Sequence, residues 1–580
     1  MKRLCLMLVA VVLTACGTPF TIEFSDDNTA VIRLAKAKEQ TLWIPIDNLV
    51  GEVQLTIDGS QEITVPLNVR LAKERVQYWM PLYLTPATEQ VTIKGADKQF
   101  VAWQEFKVGE NPNPEQRYRQ TLHYTPHIGW ANDPNGMVYH NGEWHLFHQY
   151  NPVGSRWGNM SWAHAVSRDL VTWEYLPTAL YPDEIGAIFS GSCVIDKENT
   201  AGFGKDAMIA IYTSAGRKQS QSIAYSLDNG RTFTKYEKNP VLVSEQVDFR
   251  DPKVFWHEPT ERWIMPLACG NAMEFYSSPN LREWHFESRF GEEYGCHGGV
   301  WECPDLIELP YKDSKKWVLF CSLTRDAEHG SSVQYFVGDF DGHTFVCDTP
   351  KEYTDFIGWG RDNYAIVTWS NVSDGRTIAL GWQNNWQYGS EQEFPTTDFR
   401  SYMSLPYELK LVEYEGRAKL ISKPVKEFSD YLQPIHTQEC IAVAAEQALP
   451  VELSGKDALW IVCEMESKGA KVMGVKLSND CGEALKIYFD NGEQAFKVDR
   501  RKAGISDFHE RFPSEISAPM SAAKSQTLTI VLDHASVECF TDISATSDLI
   551  FPTEGYTHLT LYAADGEAEV KRITVKKVVK

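Results

Sequence analysis

The chain has 580 residues, which at a typical domain size of about 150 predicts roughly four domains, or fewer if one is a large β architecture. Hydrophobic residues make up 43% and charged residues 23%, which excludes wholesale disorder and a protein with many membrane spans. The net charge of −22 argues against nucleic acid as a partner, because an acidic surface repels phosphate backbones.

The first residues have the pattern of a targeting segment. Lys2 and Arg3 precede an apolar run over residues 4–13, which is too short for a membrane-spanning helix and has the length of a signal-peptide core. The run leads into Leu-Thr-Ala-Cys-Gly at residues 13–17, which resembles the lipobox of bacterial lipoproteins. We expect residues 1–15 to be a signal peptide and Cys16 to be lipidated. An ordinary cleavage site with a chance cysteine is the alternative.

A lipidated Cys16 would place the protein in the cell envelope. Gly17 follows the cysteine, and not the aspartate that resembles an inner-membrane retention signal. The expected location is therefore the outer membrane, on its periplasmic side or at the cell surface, with the membrane as a partner through the lipid anchor.

The other ten cysteines, apart from Cys5 and Cys16, are scattered without a Cys-x-x-Cys pair or regular spacing. Neither a disulfide framework nor a zinc site is indicated by this pattern. We expect no metal and no cofactor.

Short apolar alternations follow the targeting segment. They occur at residues 30–34, 53–57 and 91–93 and are separated by Asp, Asn and Gly. Period-two runs of this length predict strands, and we assign residues 16–108 to an N-terminal β-sandwich-like domain. The Gly-Glu-Asn-Pro-Asn-Pro segment then interrupts the alternation, which indicates a linker over residues 109–118.

The middle of the chain carries a weak internal repeat. The segment Ser-Arg-Asp-Leu-Val-Thr-Trp at residues 167–173 recurs loosely in segments that end at Phe233, Trp284 and Phe345, and the closing aromatic residues are 60, 51 and 61 residues apart. Hairpins lie between them, and one has Asn-Gly at the two turn positions 141–142. A four-stranded unit at this period is typical of a β-propeller blade, which predicts a propeller over residues 119–415.

Longer strands follow the repeat. Apolar alternation recurs at residues 459–462, 485–489, 528–532 and 559–562, and Asp-Asn-Gly at 490–492 marks a tight turn. We expect a second β-sandwich over residues 424–580. The predicted fold is therefore all-β throughout.

Three acidic clusters lie inside the predicted propeller. They are Trp-Ala-Asn-Asp-Pro-Asn-Gly around Asp133, Asp-Phe-Arg-Asp-Pro around Asp251 and Trp-Glu-Cys-Pro-Asp around Glu302. Taken singly, each is also ordinary turn chemistry. Together they place carboxylates on three blades whose inner strands converge on the propeller axis. Two carboxylates flanking one bond are the minimum equipment for glycoside hydrolysis.

The three clusters, in this order, resemble the signature motifs of glycoside hydrolase family 32, the β-fructosidases. The resemblance spans roughly residues 118–409 and includes Phe-His-Gln-Tyr-Asn-Pro at 147–152, Trp-Ala-His-Ala at 162–165, Phe-Ser-Gly-Ser at 189–192 and Gly-Trp-Gln-Asn-Asn-Trp-Gln-Tyr at 381–388. The segment Leu-Asp-His-Ala-Ser-Val-Glu at 532–538 resembles part of the family's C-terminal sandwich. For the N-terminal domain we identify no such resemblance.

The resemblance implies a five-bladed propeller with Asp133 as nucleophile, Glu302 as general acid/base and Asp251 as a stabiliser that binds sugar hydroxyls. Asp133 needs a low pKa to act as an anion, which hydrogen bonds from Asn132 would supply. Glu302 needs a raised pKa, which the nearby Asp133 anion would supply. Arg250 would hold Asp251 ionised or bind hydroxyls directly.

The same resemblance implies a set of substrate-binding residues around the fructosyl unit, with Trp382, or else Trp386, on the opposite wall. The expected residues are Asn132, Gln149, Trp157, Phe189, Ser190, Arg250 and Trp382. His148 and His164 are expected to be structural, because the two-carboxylate mechanism leaves them no task.

The function these expectations favour is a retaining, exo-acting hydrolase that releases fructose from levan or inulin, with sucrose as a further substrate. An endo-acting levanase that releases fructo-oligosaccharides is the nearest alternative. A lipid-anchored glycan-binding protein that has lost catalysis is an alternative from another class. The sequence leaves open the linkage preference, the oligomeric state and the role of the N-terminal domain.

Overall fold

The computed structural model describes residues 20–35, 40–59, 63–85, 87–325, 327 and 330–580. The expected signal peptide and Cys16 lie outside these residues. Within the described part of the chain, no helix is long and apolar enough to cross a membrane.

The N-terminal domain is a two-sheet structure with one short helix, α1 (Ala102–Glu105). Its strands, in chain order, are β1 (Phe20–Asp26), β2 (Thr29–Leu34), β3 (Gln40–Ile46), β4 (Val53–Asp58), β5 (Leu67–Val69), β6 (Tyr78–Leu84), β7 (Gln90–Lys94) and β8 (Lys107–Val108). One sheet has the order β1-β2-β7-β4-β5 and the other the order β6-β3-β8. Both sheets contribute to one apolar core. Strands β2, β4 and β7 bury alternate side chains, whereas β3 and β6 are buried along most of their length. The strands predicted at residues 30–34, 53–57 and 91–93 are all present.

The segment 109–118 contains no strand or helix, but it is packed against the N-terminal and C-terminal domains. The Asn113 side chain pairs with the Trp79 backbone: it accepts from the N–H at 2.8 Å and donates to the carbonyl at 2.9 Å. Tyr118 packs edge-on against Phe551 of the C-terminal domain. These contacts tie the linker to the two domains.

The middle domain consists of five sheets, which are antiparallel except where β30 pairs with β9 in parallel. Its strands, in chain order, are β9 (Gly129–His140), β10 (Glu143–Asn151), β11 (Ser161–Ser167), β12 (Glu174–Leu180), β13 (Ala187–Asp196), β14 (Ala207–Ala215), β15 (Gln219–Ser226), β16 (Thr234–Lys235), β17 (Leu242–Val243), β18 (Phe249–Arg250), β19 (Phe255–His257), β20 (Arg262–Cys269), β21 (Met273–Ser278), β22 (His285–Phe290), β23 (Trp301–Tyr311), β24 (Ser314–Leu323), β25 (Ser332–Phe340), β26 (Phe345–Cys347), β27 (Asp355–Phe356), β28 (Tyr364–Thr368), β29 (Ile378–Gln383), β30 (Phe399–Arg400), β31 (Tyr402–Met403), β32 (Tyr407–Tyr414) and β33 (Arg417–Pro424). A 3-10 helix (Glu258–Thr260) joins β19 to β20.

The five sheets form the blades of a propeller. Their main orders are β12-β11-β10-β9-β30, β13-β14-β15-β16, β18-β20-β21-β22, β23-β24-β25-β26 and β28-β29-β32-β33. Strand β9 contacts both β13 and β28, and further contacts join β13 to β18, β20 to β23 and β23 to β28. The first strands of the blades therefore surround a common axis, and the ring closes between the fifth blade and the first.

The hairpin between β9 and β10 has the predicted turn. Asn141 and Gly142 both have left-handed φ values, 49° and 81°, as a type I′ turn requires. Only Gly adopts this region freely, and Asn is among the residues that tolerate it best.

The predicted end of the propeller at residue 415 is wrong by one strand. Strand β33 pairs with β32 along its whole length and completes the fifth blade, so the propeller extends to Pro424. This outermost strand is partly exposed and carries no motif, so its sequence resembles a connection more than a blade strand.

The C-terminal domain is a sandwich of two six-stranded sheets, preceded by a 3-10 helix (Lys426–Tyr431). Its strands are β34 (Leu432–Val443), β35 (Gln447–Ala448), β36 (Leu459–Ser467), β37 (Val472–Ser478), β38 (Ala484–Asp490), β39 (Ala495–Lys502), β40 (Glu515–Pro519), β41 (Ser525–Leu532), β42 (Ser536–Phe540), β43 (Ala545–Leu549), β44 (His558–Ala564) and β45 (Ala568–Val578). The sheet orders are β34-β45-β36-β41-β42-β43 and β35-β44-β37-β38-β39-β40, and a single apolar core lies between them. The predicted second sandwich is confirmed.

Candidate active site

Three carboxylates from three blades line one cavity of about 330 Å³. Asp133 lies in β9, Asp251 directly follows β18, and Glu302 lies near the start of β23. Because these strands surround the propeller axis, residues that are far apart in sequence meet at one end of the channel. The sequence-based expectation that Asp133, Asp251 and Glu302 converge is met by the cavity.

A repeated backbone irregularity shapes this cavity. In four blades, two residues of the inner strand lie opposite one residue of the next strand, which is the arrangement of a β-bulge. The pairs are Asn132-Asp133 opposite Gln149, Phe189-Ser190 opposite Thr213, Cys303-Pro304 opposite Cys321, and Ala365-Ile366 opposite Gly381. A bulge re-aims side chains. In β9, β13 and β23 it falls at or next to residues that line the cavity, and in β28 it directly follows Tyr364, which contacts Glu302.

Asp133 has few partners for its charge. Ser190 Oγ donates to Oδ2 at 3.1 Å, while Oδ1 has no hydrogen-bond partner. Burial and the Glu302 carboxylate raise the pKa of Asp133 to about 6, although Asn132 and Ser190 act in the opposite direction. The expected low pKa of Asp133 is therefore wrong, because the desolvation of a buried carboxylate outweighs these hydrogen bonds.

Asp251 is held by backbone geometry. Its φ is +65°, its N–H donates to Thr213 Oγ1 at 2.9 Å, and its Oδ2 accepts from the Cys303 N–H at 3.0 Å. Burial raises the pKa of Asp251, Arg250 lowers it, and the carboxylates of Glu302 and Asp133 raise it again, to about 7. The Cys303 thiol lies 3.6 Å from both Asp133 Oδ2 and Asp251 Oδ2 and so separates the two aspartates.

Glu302 is bound on both oxygens. Arg250 donates to Oε1 from Nε at 3.0 Å and from Nη2 at 2.7 Å, and the Tyr364 hydroxyl donates to Oε2. Tyr364, the first residue of β28, is fully buried and was not predicted as a site residue. No motif marks it in the sequence.

Arg250 was expected to hold Asp251 ionised or to bind sugar hydroxyls directly, but its shortest contacts are to other carboxylates. It donates to Asp248 Oδ1 at 2.5 Å and to Glu302 Oε1 at 2.7 Å, whereas its Nε lies 4.0 Å from Asp251 Oδ2. Its charge therefore lies closer to Glu302 than to Asp251.

Trp382 is corrected by the structure. The other predicted catalytic and substrate-binding residues all line the cavity: Asn132, Asp133, Gln149, Trp157, Phe189, Ser190, Arg250, Asp251 and Glu302. Trp382 has no exposed surface and lies behind Trp386, with the two ring centroids 4.7 Å apart. Trp386, which the sequence left as the alternative, forms the wall. Trp382 lies in β29, whose two faces are both covered.

Further cavity residues escaped the sequence analysis. They are Met160, Thr324, Arg325 and Ser390. Most of them lie in loops that carry no motif of their own.

The two conspicuous histidines do not line the cavity. His148 shares a hydrogen bond with the Tyr124 hydroxyl at 3.0 Å and another with the Gln149 carbonyl at 2.8 Å, and His164 pairs with His145 at 3.0 Å. Burial lowers the pKa of His148 to about 4, so it is neutral at pH 7. Both have the structural role expected for them.

The described residues contain neither a cluster of metal ligands nor a disulfide bond. Among the described residues, no three His, Cys, Asp or Glu side chains are grouped closely enough to hold a metal ion. The ten cysteines in the described part of the chain are all free thiols.

The chain is similar to a family of known hydrolases. The sequence model of the Glycosyl hydrolases family 32 N-terminal domain matches residues 123–424, and that of the family 32 C-terminal domain matches residues 430–577. A levanase of Bacillus subtilis strain 168 is 43% identical over 478 residues, covering 80% of this chain and 70% of the levanase. An extracellular exo-inulinase of Aspergillus awamori is 35% identical over 515 residues, covering 80% of this chain and 95% of the inulinase.

Solved structures show the same architecture. The crystal structure of the Aspergillus awamori exo-inulinase superposes with a TM-score of 0.75 at 34% identity, covering 81% of this chain and 99% of that one. A β-fructofuranosidase of Schwanniomyces occidentalis gives 0.73 at 31% identity, covering 80% and 98%.

Proposed function

The chain belongs to glycosyl hydrolase family 32, and from this membership we propose that it is a retaining, exo-acting hydrolase that removes terminal fructose from levan or inulin. The observation that carries the proposal is the convergence of Asp133, Asp251 and Glu302 on one cavity. Similarity to proteins named levanase and exo-inulinase supports the substrate class.

The reaction takes two displacements at the anomeric carbon. In the first, an Asp133 oxygen forms a bond to that carbon, the glycosidic C–O bond breaks, and the leaving oxygen takes a proton from Glu302. In the second, water attacks the same carbon, gives its proton to Glu302, and releases Asp133 as the carboxylate. Asp251, whose carboxylate also faces the cavity, accepts hydrogen bonds from sugar hydroxyls.

The cavity retains the proton that this chemistry needs. The pKa values of Asp133 and Asp251 are raised to about 6 and about 7, so these two buried aspartates together hold part of a proton near neutrality.

Groups without partners face the sugar-binding region. Gln149 lines the cavity, and its Nε2 has no hydrogen-bond partner among protein atoms. A buried amide donor in this state costs free energy, which a sugar hydroxyl would recover. Trp157, Phe189 and Trp386 add aromatic faces on which the apolar side of a sugar ring can pack.

Exo action is supported by the size of the cavity. A volume of about 330 Å³ is at the small end for ligand pockets and suits one terminal sugar better than a chain passing through. The test is partial digestion of levan, inulin and sucrose in parallel, with the products separated by chromatography. Fructose alone at early times is expected. A ladder of fructo-oligosaccharides would instead identify an endo-acting enzyme.

The retaining mechanism has its own test. A nucleophilic Asp133 needs its carboxyl group about 5 to 5.5 Å from that of Glu302, closer than the roughly 6.5 to 9.5 Å of inverting enzymes. Two inversions restore the configuration, so NMR of the nascent sugar, read before mutarotation, should show β-fructose first. The α anomer appearing first would reject Asp133 as a nucleophile.

We also propose that Cys16 is lipidated and anchors the protein to the outer membrane, on its periplasmic side or at the cell surface. The support is the sequence Leu-Thr-Ala-Cys-Gly after an apolar run. Cys16→Ala should release soluble protein from the membrane fraction. Unchanged retention would place the anchor elsewhere.

A further inference from the structure

The N-terminal domain touches the propeller beside the cavity. The loop between β10 and β11 carries Trp157 and Met160, both of which line the cavity. Its residues Ser155, Arg156 and Asn159 form hydrogen bonds with the N-terminal domain. The domain lies outside both family matches, the first of which begins at residue 123.

The first attachment is a closed ring of hydrogen bonds. The Tyr78 hydroxyl donates to Asn48 Oδ1 at 3.0 Å, Asn48 Nδ2 donates to Ser155 Oγ at 2.9 Å, and the Ser155 N–H donates to the Tyr78 hydroxyl at 2.8 Å. Ser155 Oγ is left to donate to the Thr397 carbonyl at 2.6 Å. Tyr78, Asn48 and Ser155 are 1%, 6% and 0% exposed, so none of these bonds exchanges readily with water.

The second attachment lies at the other end of the loop. The Asn159 side chain accepts from the Asn68 N–H at 2.9 Å and donates to the Asn68 carbonyl at 2.8 Å, so it pairs with β5 as a neighbouring strand would. Asn159 has a left-handed φ of 48°. It directly precedes Met160 and lies two residues after Trp157.

Arg156 extends the contact to the opposite wall. One Nη donates to the Asn48 carbonyl at 3.4 Å and the other to the Ser390 carbonyl at 3.3 Å. Ser390 also lines the cavity. The N-terminal domain is thereby connected to two walls of the sugar-binding region.

Trp157 needs such support. Its side chain is 47% exposed, and its ring contact is with the edge of Phe189 at 6.3 Å. A half-exposed Trp on a loop binds a sugar well only if the backbone beneath it is fixed, because ordering it on binding costs conformational entropy.

We propose that the N-terminal domain is part of the substrate site. Tyr78 and Asn48 of this domain, together with Asn159 of the propeller loop, are positioning residues that hold Trp157 in place for the terminal sugar. The kinetic test of this role, which measures KM for a fructan, rests on the function proposed above. The domain is therefore more than a spacer between the chain terminus and the propeller.

The test is a double-mutant cycle on the full chain. Tyr78→Phe removes one hydroxyl from the ring, and it should raise KM for the fructan about threefold to tenfold while kcat stays within about twofold, because Trp157 contributes binding and not chemistry. Trp157→Ala should raise KM further. In the background of Trp157→Ala, Tyr78→Phe should have no additional effect on KM.

Two further variants separate the loss of these hydrogen bonds from a general loss of stability. Asn159→Gly keeps the left-handed backbone accessible and removes the amide pair with β5, so it should repeat the KM effect if Tyr78→Phe fails to fold. Ile93→Val alters the fully buried core of the N-terminal domain away from the ring, so it should lower stability and leave KM unchanged. Equal KM values in Tyr78→Phe, Ile93→Val and wild type would overturn the proposal, as would additive effects in the cycle.

Hydrogen exchange gives a readout that needs no substrate. Tyr78→Phe should speed amide exchange in residues 152–161, including the Ser155 N–H, and Ile93→Val should not. If the wild type proves inactive on fructans, faster exchange here still supports the positioning role. Unchanged exchange in this loop overturns it whatever the enzyme's activity.

Discussion

Asp133 at the propeller axis and Asp533 at the interface with the C-terminal sandwich are both buried, yet their pKa values shift in opposite directions. Asp533 accepts hydrogen bonds from the backbone N–H groups of Thr121 and Leu122 and from its own neighbour His534, and it pairs with His123 Nδ1 at 2.9 Å. Burial acts to raise its pKa, but His123 and these donors lower it.

Asp133 has the opposite surroundings. Its one hydroxyl donor is Ser190, one of its oxygens has no hydrogen-bond partner, and its nearest strong influence besides burial is the like charge of Glu302. Burial alone therefore does not make a carboxylate reactive. The number of donors decides whether its charge stabilises the fold or is available for chemistry.

The comparison is tested most strongly by removing each charge. Asp133→Asn should lower kcat by roughly 10⁴-fold or more, because it removes the proposed nucleophile. It should leave the free energy of unfolding at pH 7 unchanged or increased, since a carboxylate whose pKa is raised by folding destabilises the ionised folded state. Steady-state kinetics and urea unfolding on the same preparation check both. A loss of activity below tenfold would remove Asp133 from the mechanism.

Asp533→Asn should show the reverse pattern. Breaking a buried ion pair on one side leaves His123 with a weaker partner, Glu538 at 3.8 Å, so we expect a loss of about 3–5 kcal/mol in the free energy of unfolding. The protein that stays folded should keep kcat within a few-fold. Unchanged urea midpoints would contradict the structural role of this pair.

The interface pair also predicts an alkaline loss of stability. Burial disfavours the imidazolium, but Asp533 and Glu538 raise the pKa of His123 to about 9. A raised histidine pKa stabilises the fold fully below about pH 6.5, and this contribution is lost as the pH rises through 9. The loss should be about 2–3 kcal/mol in wild type. It should be absent in His123→Gln, as urea unfolding at pH 6.5 and 9.5 would measure.

The smallest expected effect concerns Ser190. The acid limb of kcat/KM should fall near pH 6, where Asp133 becomes protonated and can no longer attack. Ser190→Ala removes a hydrogen bond to the anion, so this limb should move to higher pH by about one unit. Thr541→Ala, which removes a buried hydroxyl of the C-terminal sandwich, is the matched control and should leave the limb in place. A limb that does not move with Ser190→Ala would assign it to another group.

Much of the architecture was predictable from local pattern. Alternation of period two marks strands wherever one face is buried, Asn-Gly at 141–142 marks a turn, and the recurring aromatics mark the blades. The acidic motifs identified the three carboxylates, since each cluster has an unusual composition within a few residues. These signals need no knowledge of the neighbours in space.

Tertiary structure decided which side chains face the cavity and how their pKa values shift, because both depend on residues that are distant in sequence. The bulges at Asn132-Asp133, Phe189-Ser190 and Cys303-Pro304 depend on the register between paired strands, and that register decides which side chains face the axis. Trp382 and Trp386 are four residues apart with similar chemistry, and only the packing of β29 buries one and exposes the other to the cavity. The pKa of Asp133 depends on a carboxylate 169 residues away in sequence. Local motifs in the sequence were enough to select the three carboxylates, whereas the ring closure of the propeller brings them into one cavity and sets their electrostatic surroundings.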